Sequence, residues 1–194
     1  MADQISLDGF DAPSEPTDRL FFALLPEAAA RDRVASLTRR LRGDHGLVAK
    51  PIPAERLHVT LHHLGDYVGL PAHIVVAASD VAARLVVPSF VLGFDRVATF
   101  SGKPGRLPLV LRGDESLAGV MALQSALEMG LIKAGLVKGP RAAYTPHLTL
   151  LYGDRPVDER LIDPIAWSAR EFVLVRSLMG RAQYTVIGRW PLPA

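Results

Sequence analysis

The sequence predicts an α+β protein, because short apolar runs typical of strands alternate with helical patterns along the chain. The four-residue pattern His-x-Thr-Leu occurs twice, at residues 58–61 and 147–150, about half a chain length apart. The predicted order is strand, helix, motif strand, helix and strands, followed by strands, helix, motif strand and strands. We therefore interpret the chain as two halves of similar architecture, although no convincing sequence repeat exists outside the motif.

The first half begins with a strand and a helix. The apolar run at residues 20–25 stops at a proline and predicts a buried strand. Apolar residues at helical spacing predict a helix over residues 27–41, which Gly43 ends. The first motif lies on a strand predicted over residues 57–64, and a second helix follows over residues 71–85.

The second half contains the longest predicted helix, residues 116–136, in which leucines and a valine recur on one face. The second motif lies on a strand predicted over residues 143–152, where Pro146 is acceptable at the first position of a strand. The remaining predicted strands are apolar runs bounded by turn residues, at residues 90–100, 107–112, 171–178 and 183–189.

The domain organisation follows from length and local composition. Residues 1–18 contain Asp3, Asp8, Asp11, Glu15 and Asp18, no basic residue and two prolines, so we expect a mobile acidic leader. A chain of 194 residues fits one ordinary domain. We expect a single bilobal domain over residues 19–194.

Composition excludes several classes of protein. The chain has no cysteine, which rules out disulfides, thiolate nucleophiles and cysteine-ligated zinc or iron–sulfur centres. No stretch has the roughly 20 apolar residues of a membrane span, and the first residues do not resemble a secretory signal. We therefore expect a cytoplasmic protein that does not bind membranes and, since no coiled coil or large apolar face is evident, a monomer.

The repeated motif carries the chemistry. Side chains alternate along a strand, so in each copy the histidine and threonine share one face while the residues after them point into the core. Two such strands side by side would bring His58, His147, Thr60 and Thr149 to one cleft. Paired imidazoles can act as general base and general acid near neutral pH, and hydroxyls can donate to an anion between them. This arrangement is suited to phosphoester chemistry without a metal.

With its neighbours, the motif resembles that of the 2H phosphoesterases, and within them the LigT-like RNA 2′,3′-cyclic phosphodiesterases, also called the 2′-5′ RNA ligase family. The first motif runs on to a Leu-Gly pair at residues 64–65, as in that family. The second has a similar lead-in at residues 141–147, with an arginine, an aromatic residue and Pro-His. The closing segment, residues 172–192, also resembles the family's last strands, so the likeness covers most of residues 19–192.

The resemblance implies two pseudo-symmetric lobes, each with an antiparallel sheet flanked by helices, and an active-site cleft between them. It implies hydrolysis of a 2′,3′-cyclic phosphate to a 2′-phosphomonoester, with reversible 2′-5′ ligation in some members. By resemblance, His58 is the proton donor, His147 is the proton acceptor, and Thr60 and Thr149 bind the phosphate. The expected partners are RNA ends or nucleotides that carry a 2′,3′-cyclic phosphate, and no cofactor or metal is required.

Further substrate contacts are expected from cations that could hold an RNA backbone and from tyrosines that could stack on a base. The candidates are Arg141, Lys103, Arg106, Tyr144 and Tyr152. His62 shares the predicted strand face of His58 and could line the cleft, with cross-strand packing as the alternative. A zinc site formed by these two histidines is disfavoured, because four strand residues span roughly 13 Å.

Two other functions remain open at the level of sequence. The chain could be a phosphodiesterase of another small cyclic or 2′-5′ nucleotide, which only a test of substrates would distinguish. It could also be a non-catalytic RNA-binding or nucleotide-binding module that has kept the cleft. The intact histidines and threonines favour an enzyme.

Overall fold

The computed structural model describes residues 15–139, 144–181 and 183–194. This part of the chain forms eight strands and three α-helices. The helices are α1 (Ala28–His45), α2 (Ala72–Ala83) and α3 (Ala118–Lys133). The strands are β1 (Asp18–Leu24), β2 (Val59–Tyr67), β3 (Phe90–Thr99), β4 (Leu107–Arg112), β5 (Leu148–Gly153), β6 (Arg160–Ala169), β7 (Glu171–Leu178) and β8 (Gln183–Pro191).

All neighbouring strands run antiparallel, in the order β6-β3-β4-β5-β2-β1-β7-β8. The two motif strands, β2 and β5, meet at the centre of the sheet. Among the described residues, Val59 and Leu148 are the one pair that joins these two strands. The sheet therefore divides into two four-stranded halves, and each half has its motif strand at the inner edge. The predicted α+β fold with two similar antiparallel lobes is confirmed.

Helices cover one face of the sheet. α3 packs against β2 in one half and β3 in the other, while α1 packs against β6. Alternation along β1 separates the two faces: Phe22 belongs to the main core beneath the helices, and Phe21 belongs to a small cluster on the opposite face. The face opposite the helices is therefore available for a cleft.

Several predicted boundaries move by a few residues. Helix α1 continues past Gly43 and ends at His45. The next residue, Gly46, is its C-cap, and its φ of 59° suits a glycine. Strand β2 continues through Gly65 to Tyr67. In the second motif the strand starts only at Leu148, since the described residues 144–147 lie outside it.

Strand β6 escapes sequence prediction. Its sequence contains Asp163 and Pro164, which argue against a central strand. In the structure β6 lies at an edge of the sheet. Among the residues that the structure describes it pairs with β3 alone, and the pairing is irregular between Phe94 and Arg96. An edge position tolerates the proline, because one side of the strand needs no partner.

The folded part begins one residue before the predicted start at Arg19. Asp18 is the buried first residue of β1; its carboxylate pairs with Arg176 and accepts a 2.6 Å hydrogen bond from the Thr17 hydroxyl. Most of the predicted acidic leader, residues 1–14, lies outside the described residues. None of the described helices has the length and apolar composition that crossing a membrane requires.

Candidate active site

The two motifs meet on the face of the sheet that the helices leave uncovered. Val59 and Leu148, the middle residues of the motifs, are fully buried in the main core. Side chains alternate, so the neighbouring residues face the other way and line a cleft of about 890 Å³. The predicted quartet is assembled in this cleft: His58, Thr60, His147 and Thr149.

The register of the central pair sets the arrangement of this quartet. Because the strands are antiparallel and Val59 pairs with Leu148, continuing the register places His58 opposite Thr149. It likewise places Thr60 opposite His147. The two motifs are thus related by a local two-fold pseudo-symmetry about the Val59–Leu148 pair, and all four side chains line the same cleft.

The two imidazoles are oriented in the same way. Nδ1 of His58 lies 2.7 Å from the Arg56 carbonyl oxygen, and Nδ1 of His147 lies 2.8 Å from the Thr145 carbonyl oxygen. A carbonyl oxygen can only accept, so each Nδ1 carries a hydrogen and donates it. This fixes Nε2 as the atom that binds or releases a proton in the cleft.

His58 has an aromatic environment. Its ring centroid lies 4.9 Å from that of Phe21 and 5.6 Å from that of Tyr184. Burial lowers the pKa of His58 below its ordinary value, the hydrogen bond to the Arg56 carbonyl opposes this effect, and His147 lowers the pKa further. The neutral imidazole is therefore favoured in the unliganded protein.

His147 packs against one aromatic ring among the residues that the structure describes. The ring of Phe100 contacts it edge-on, at a centroid distance of 5.0 Å, and the Arg112 guanidinium lies 5.8 Å from the centroid of Phe100. The two catalytic candidates thus have different surroundings despite their matched hydrogen bonds. His58 has the more aromatic environment of the two.

For His62 the sequence leaves both cleft lining and cross-strand packing open, and the structure does not place it among the cleft residues. In the β1–β2 ladder the register shifts between Phe22 and Ala23, so that Leu61 has no direct partner. Such a bulge breaks the alternation of side chains. His62 consequently turns into the core, where it is 2% exposed, and its Nδ1 lies 3.9 Å from Oε1 of Glu128.

The same shift brings His63 to the cleft wall in place of His62. Its Nε2 lies 2.9 Å from Oδ1 of Asp66. The Asp66 carboxylate also accepts two 2.7 Å hydrogen bonds from Arg19, one on each oxygen. Arg19, with a smaller contribution from His63, holds the pKa of Asp66 well below its usual range. Arg19 and His63 line one side of the cleft.

The structure does not support stacking of a base on Tyr144. Its ring packs against the main core, and its hydroxyl donates a 2.7 Å hydrogen bond to the carbonyl oxygen of Thr60. Burial raises the pKa of the phenol, so the hydroxyl stays protonated. Tyr144 therefore links the lead-in of the second motif to the strand of the first.

Of the four remaining predicted substrate contacts, two line the cleft. Arg106 and Tyr152 both line the cleft, and the Arg106 guanidinium lies 5.0 Å from the centroid of the Tyr152 ring. Lys103 lies in the same loop, but it is exposed and is not among the residues that line the cleft. Arg141 lies outside the described residues.

Sequence reasoning missed several residues of the cleft wall. Arg56 and Tyr184 form a second cation–aromatic pair, with the guanidinium 4.4 Å from the ring centroid. The end of β7 and the turn that follows it contribute residues 177–180. Arg56 lies only two residues before His58, which was a usable signal, whereas the contribution of β8 depends on strand order alone.

Comparisons with known proteins agree with this geometry. The model of the family described as the 2′-5′ RNA ligase superfamily matches residues 25–180. The chain therefore belongs to the 2′-5′ RNA ligase superfamily, and the predicted family is confirmed. Among curated proteins, none matches the sequence of this chain significantly.

Solved structures give the same result. The apo structure of E. coli LigT is 27% identical, has a TM-score of 0.72, and is matched over 93% of this chain and 100% of that chain. E. coli LigT complexed with 3′-AMP is 28% identical, with a TM-score of 0.68 and the same coverage. A protein of Thermus thermophilus is 25% identical, with a TM-score of 0.72, over 90% of this chain and 97% of that chain.

Proposed function

We propose that this protein hydrolyses the 2′,3′-cyclic phosphate of RNA ends or nucleosides to a 2′-phosphomonoester. The observation that carries the proposal is the matched pair of imidazoles in one cleft. Each donates through Nδ1 to a backbone carbonyl, and both share the cleft with Thr60 and Thr149. Membership of the 2′-5′ RNA ligase superfamily supports the same class of reaction.

The reaction needs one proton acceptor and one proton donor. Nε2 of His147 takes a proton from water as the water oxygen bonds to phosphorus. Nε2 of His58 gives a proton to the ribose 3′-oxygen as its bond to phosphorus breaks. The 2′-oxygen keeps its phosphate, and the histidines end in exchanged protonation states that solvent restores.

The hydroxyls of Thr60 and Thr149 stabilise the phosphate. Negative charge grows on the non-bridging oxygens as water attacks, and a hydroxyl aimed at these oxygens stabilises the transition state more than the ground state. Both threonines line the cleft next to the imidazoles. We propose that these donors and the nearby arginines take the role that a metal ion has in other phosphodiesterases.

The proton donor must be charged when the reaction begins. In the unliganded protein burial lowers the pKa of His58, which opposes this state. A bound phosphodiester brings a negative charge beside the ring, and a nearby negative charge raises the pKa of an imidazole because it stabilises the protonated form. Substrate binding and protonation of His58 are therefore coupled in this mechanism.

The test is product analysis with the four nucleoside 2′,3′-cyclic phosphates and EDTA-treated protein. We expect nucleoside 2′-phosphate from the wild type and a loss of at least about a hundredfold in rate for His58→Ala and His147→Ala. His73→Ala provides a matched control, because this exposed histidine lies on α2 away from the cleft. Nucleoside 3′-phosphate as the product, or wild-type activity in both variants, would refute the proposal.

A second reaction follows from the first by exchange of the nucleophile. If the 5′-hydroxyl of another nucleotide replaces water, the same proton transfers form a 2′-5′ phosphodiester. The cleft of about 890 Å³ is near the upper end of the range for ligand pockets, which favours a substrate larger than one nucleotide. Incubating a cyclic phosphate with a 5′-hydroxyl oligonucleotide and measuring the joined product tests this activity.

A further inference from the structure

Two cation–aromatic pairs flank the catalytic quartet, one in each half of the sheet. In one half, the Arg56 guanidinium lies 4.4 Å from the centroid of the Tyr184 ring. In the other half, the Arg106 guanidinium lies 5.0 Å from the centroid of the Tyr152 ring. All four side chains line the same cleft as the histidines and threonines.

The pairs lie on opposite sides of the central strands. Tyr184 belongs to β8 and Arg56 precedes β2, so both lie on the His58 side. Tyr152 belongs to β5 and Arg106 precedes β4, so both lie on the other side of the central pair. A phosphate held by the quartet would have one of these pairs on each flank.

The two arginines keep their charge available to a ligand. Within residues 15–139, 144–181 and 183–194, neither Arg56 nor Arg106 forms a salt bridge with a carboxylate. Arg19, in contrast, is held by both oxygens of Asp66. An aromatic ring orients a guanidinium without neutralising it.

The Arg56 pair is also built into the site. The Tyr184 ring lies edge-on to both Phe21 and His58, at centroid distances of 5.6 Å in each case. Nε of Arg56 is buried and has no hydrogen-bond partner among the residues that the structure describes. The Arg56 side chain is therefore partly embedded in the wall of the cleft that it lines.

We infer that each pair binds one nucleoside, so that the cleft holds a phosphate together with the nucleosides on both of its sides. Bases stack on aromatic rings and on the plane of a guanidinium, and the cation adds attraction for the phosphate backbone. This inference rests on the proposed function. It goes beyond it by assigning Arg56 with Tyr184, and Arg106 with Tyr152, as two separate nucleoside subsites.

Binding of unreactive probes tests the inference without any turnover. The full probe is a 2′-5′-linked diadenosine whose first sugar lacks the 3′-hydroxyl, so that no cyclic phosphate can form. The half-probes are 3′-deoxyadenosine 2′-monophosphate and adenosine 5′-monophosphate. Dissociation constants are measured by calorimetry for the wild type, Tyr184→Leu, Tyr152→Leu and the double variant.

We expect each half-probe to lose about tenfold in affinity with one tyrosine variant and to be unaffected by the other. The full probe should lose affinity with both variants, and the double variant should show the product of the two losses. Tyr184→Phe and Tyr152→Phe are matched controls, because they keep the ring and should bind within about twofold of the wild type.

One half-probe affected equally by both tyrosine variants, or a full probe affected by neither, would overturn the inference. Thermal unfolding of each variant shows whether the fold is kept. If Tyr184→Leu does not fold, Arg56→Gln replaces it, since it removes the guanidinium plane and should weaken the same half-probe. Paired binding without hydrolysis of cyclic phosphates would refute the proposed function and leave the two subsites in place.

Discussion

The hydroxyl of Tyr144 donates a 2.7 Å hydrogen bond to the backbone carbonyl of Thr60. The two residues lie in different halves of the molecule. Tyr144 precedes His147, and Thr60 follows His58, so one side-chain hydrogen bond connects the segments that carry the two proposed catalytic histidines. With the ladder pair between Val59 and Leu148, it holds the two motifs in register.

Tyr144→Phe should therefore lower activity without removing a group from the cleft. Loss of the bond leaves a partly buried carbonyl without this donor, which costs about 1 kcal/mol of stability. We expect kcat to fall by about three- to tenfold with little change in KM, because positioning affects the chemical step. Steady-state kinetics and thermal unfolding measure the two effects.

Tyr67→Phe is the control for that substitution. The Tyr67 hydroxyl donates a weaker 3.3 Å hydrogen bond to the Leu64 carbonyl within the same strand. We expect its kcat to stay at the wild-type level. An equal loss of kcat in both variants would mean that Tyr144 acts through general stability instead of through the alignment of the motifs.

The pH dependence should differ between free and bound enzyme. As the proton donor, His58 must be protonated. Because its pKa is lowered, the free enzyme loses the protonated imidazole as pH rises through a range that lies below the ordinary histidine pKa of about 6.5. The bound phosphate raises the pKa, so the alkaline limb of kcat should lie at higher pH than that of kcat/KM. Superimposable limbs would contradict the coupling of binding to protonation.

The assignment of donor and acceptor can be tested with leaving groups. A phosphodiester that releases p-nitrophenolate needs no proton donor, since the leaving oxygen is stable as an anion. We expect His58→Ala to regain much of its lost rate on such a substrate and His147→Ala to regain little. Recovery in His147→Ala alone would reverse the assignment while keeping the pair of histidines.

Thr60→Val and Thr149→Val should lower kcat more than they raise KM. Each substitution keeps the shape of the side chain and removes one hydroxyl donor from the phosphate. A hydrogen bond to a charged group contributes about 1.5 to 3 kcal/mol, which corresponds to a loss of roughly ten- to a hundredfold in rate. Thr→Ser at each position is the control, and it should retain most of the activity because the hydroxyl remains.

Asp66→Asn should change the response of stability to acid. Arg19 and His63 lower the pKa of Asp66, so its stabilising effect is present above the ordinary aspartate value of about 3.9 and is lost as pH falls toward the lowered value. The melting temperature of the variant should thus lie below that of the wild type at pH 6, with a smaller difference at pH 3. A constant difference would show that the carboxylate contributes no pH-dependent stability.

The sequence identified the quartet because alternation along a strand is a local property. Val59 and Leu148 indicate a buried face, and the neighbouring histidines and threonines must then face the cleft. The choice between His62 and His63 was beyond reach, since it depends on a bulge opposite β1. Bulges are set by pairing with another strand and leave no local signal here.

Other outcomes depended on tertiary structure in the same way. The sequence around Tyr144 is equally compatible with stacking on a base and with anchoring a strand, and only the position of the Thr60 carbonyl decides between them. Tyr184 reaches the cleft because β8 lies beside β7, although it is remote from both motifs in sequence. Strand β6 was missed because an edge position tolerates residues that usually interrupt a strand.

Helix α3 packs against β2 in one half of the sheet and β3 in the other. Each of the two histidines that we propose as proton-transfer groups is supplied by a different half, so the spacing between them depends on how this helix holds the halves together. Leu123 and Leu127, both fully buried on α3, belong to neither motif. A cavity made at these leucines would change the distance between the proposed acid and base. It would thereby lower activity although every residue of the cleft is still present.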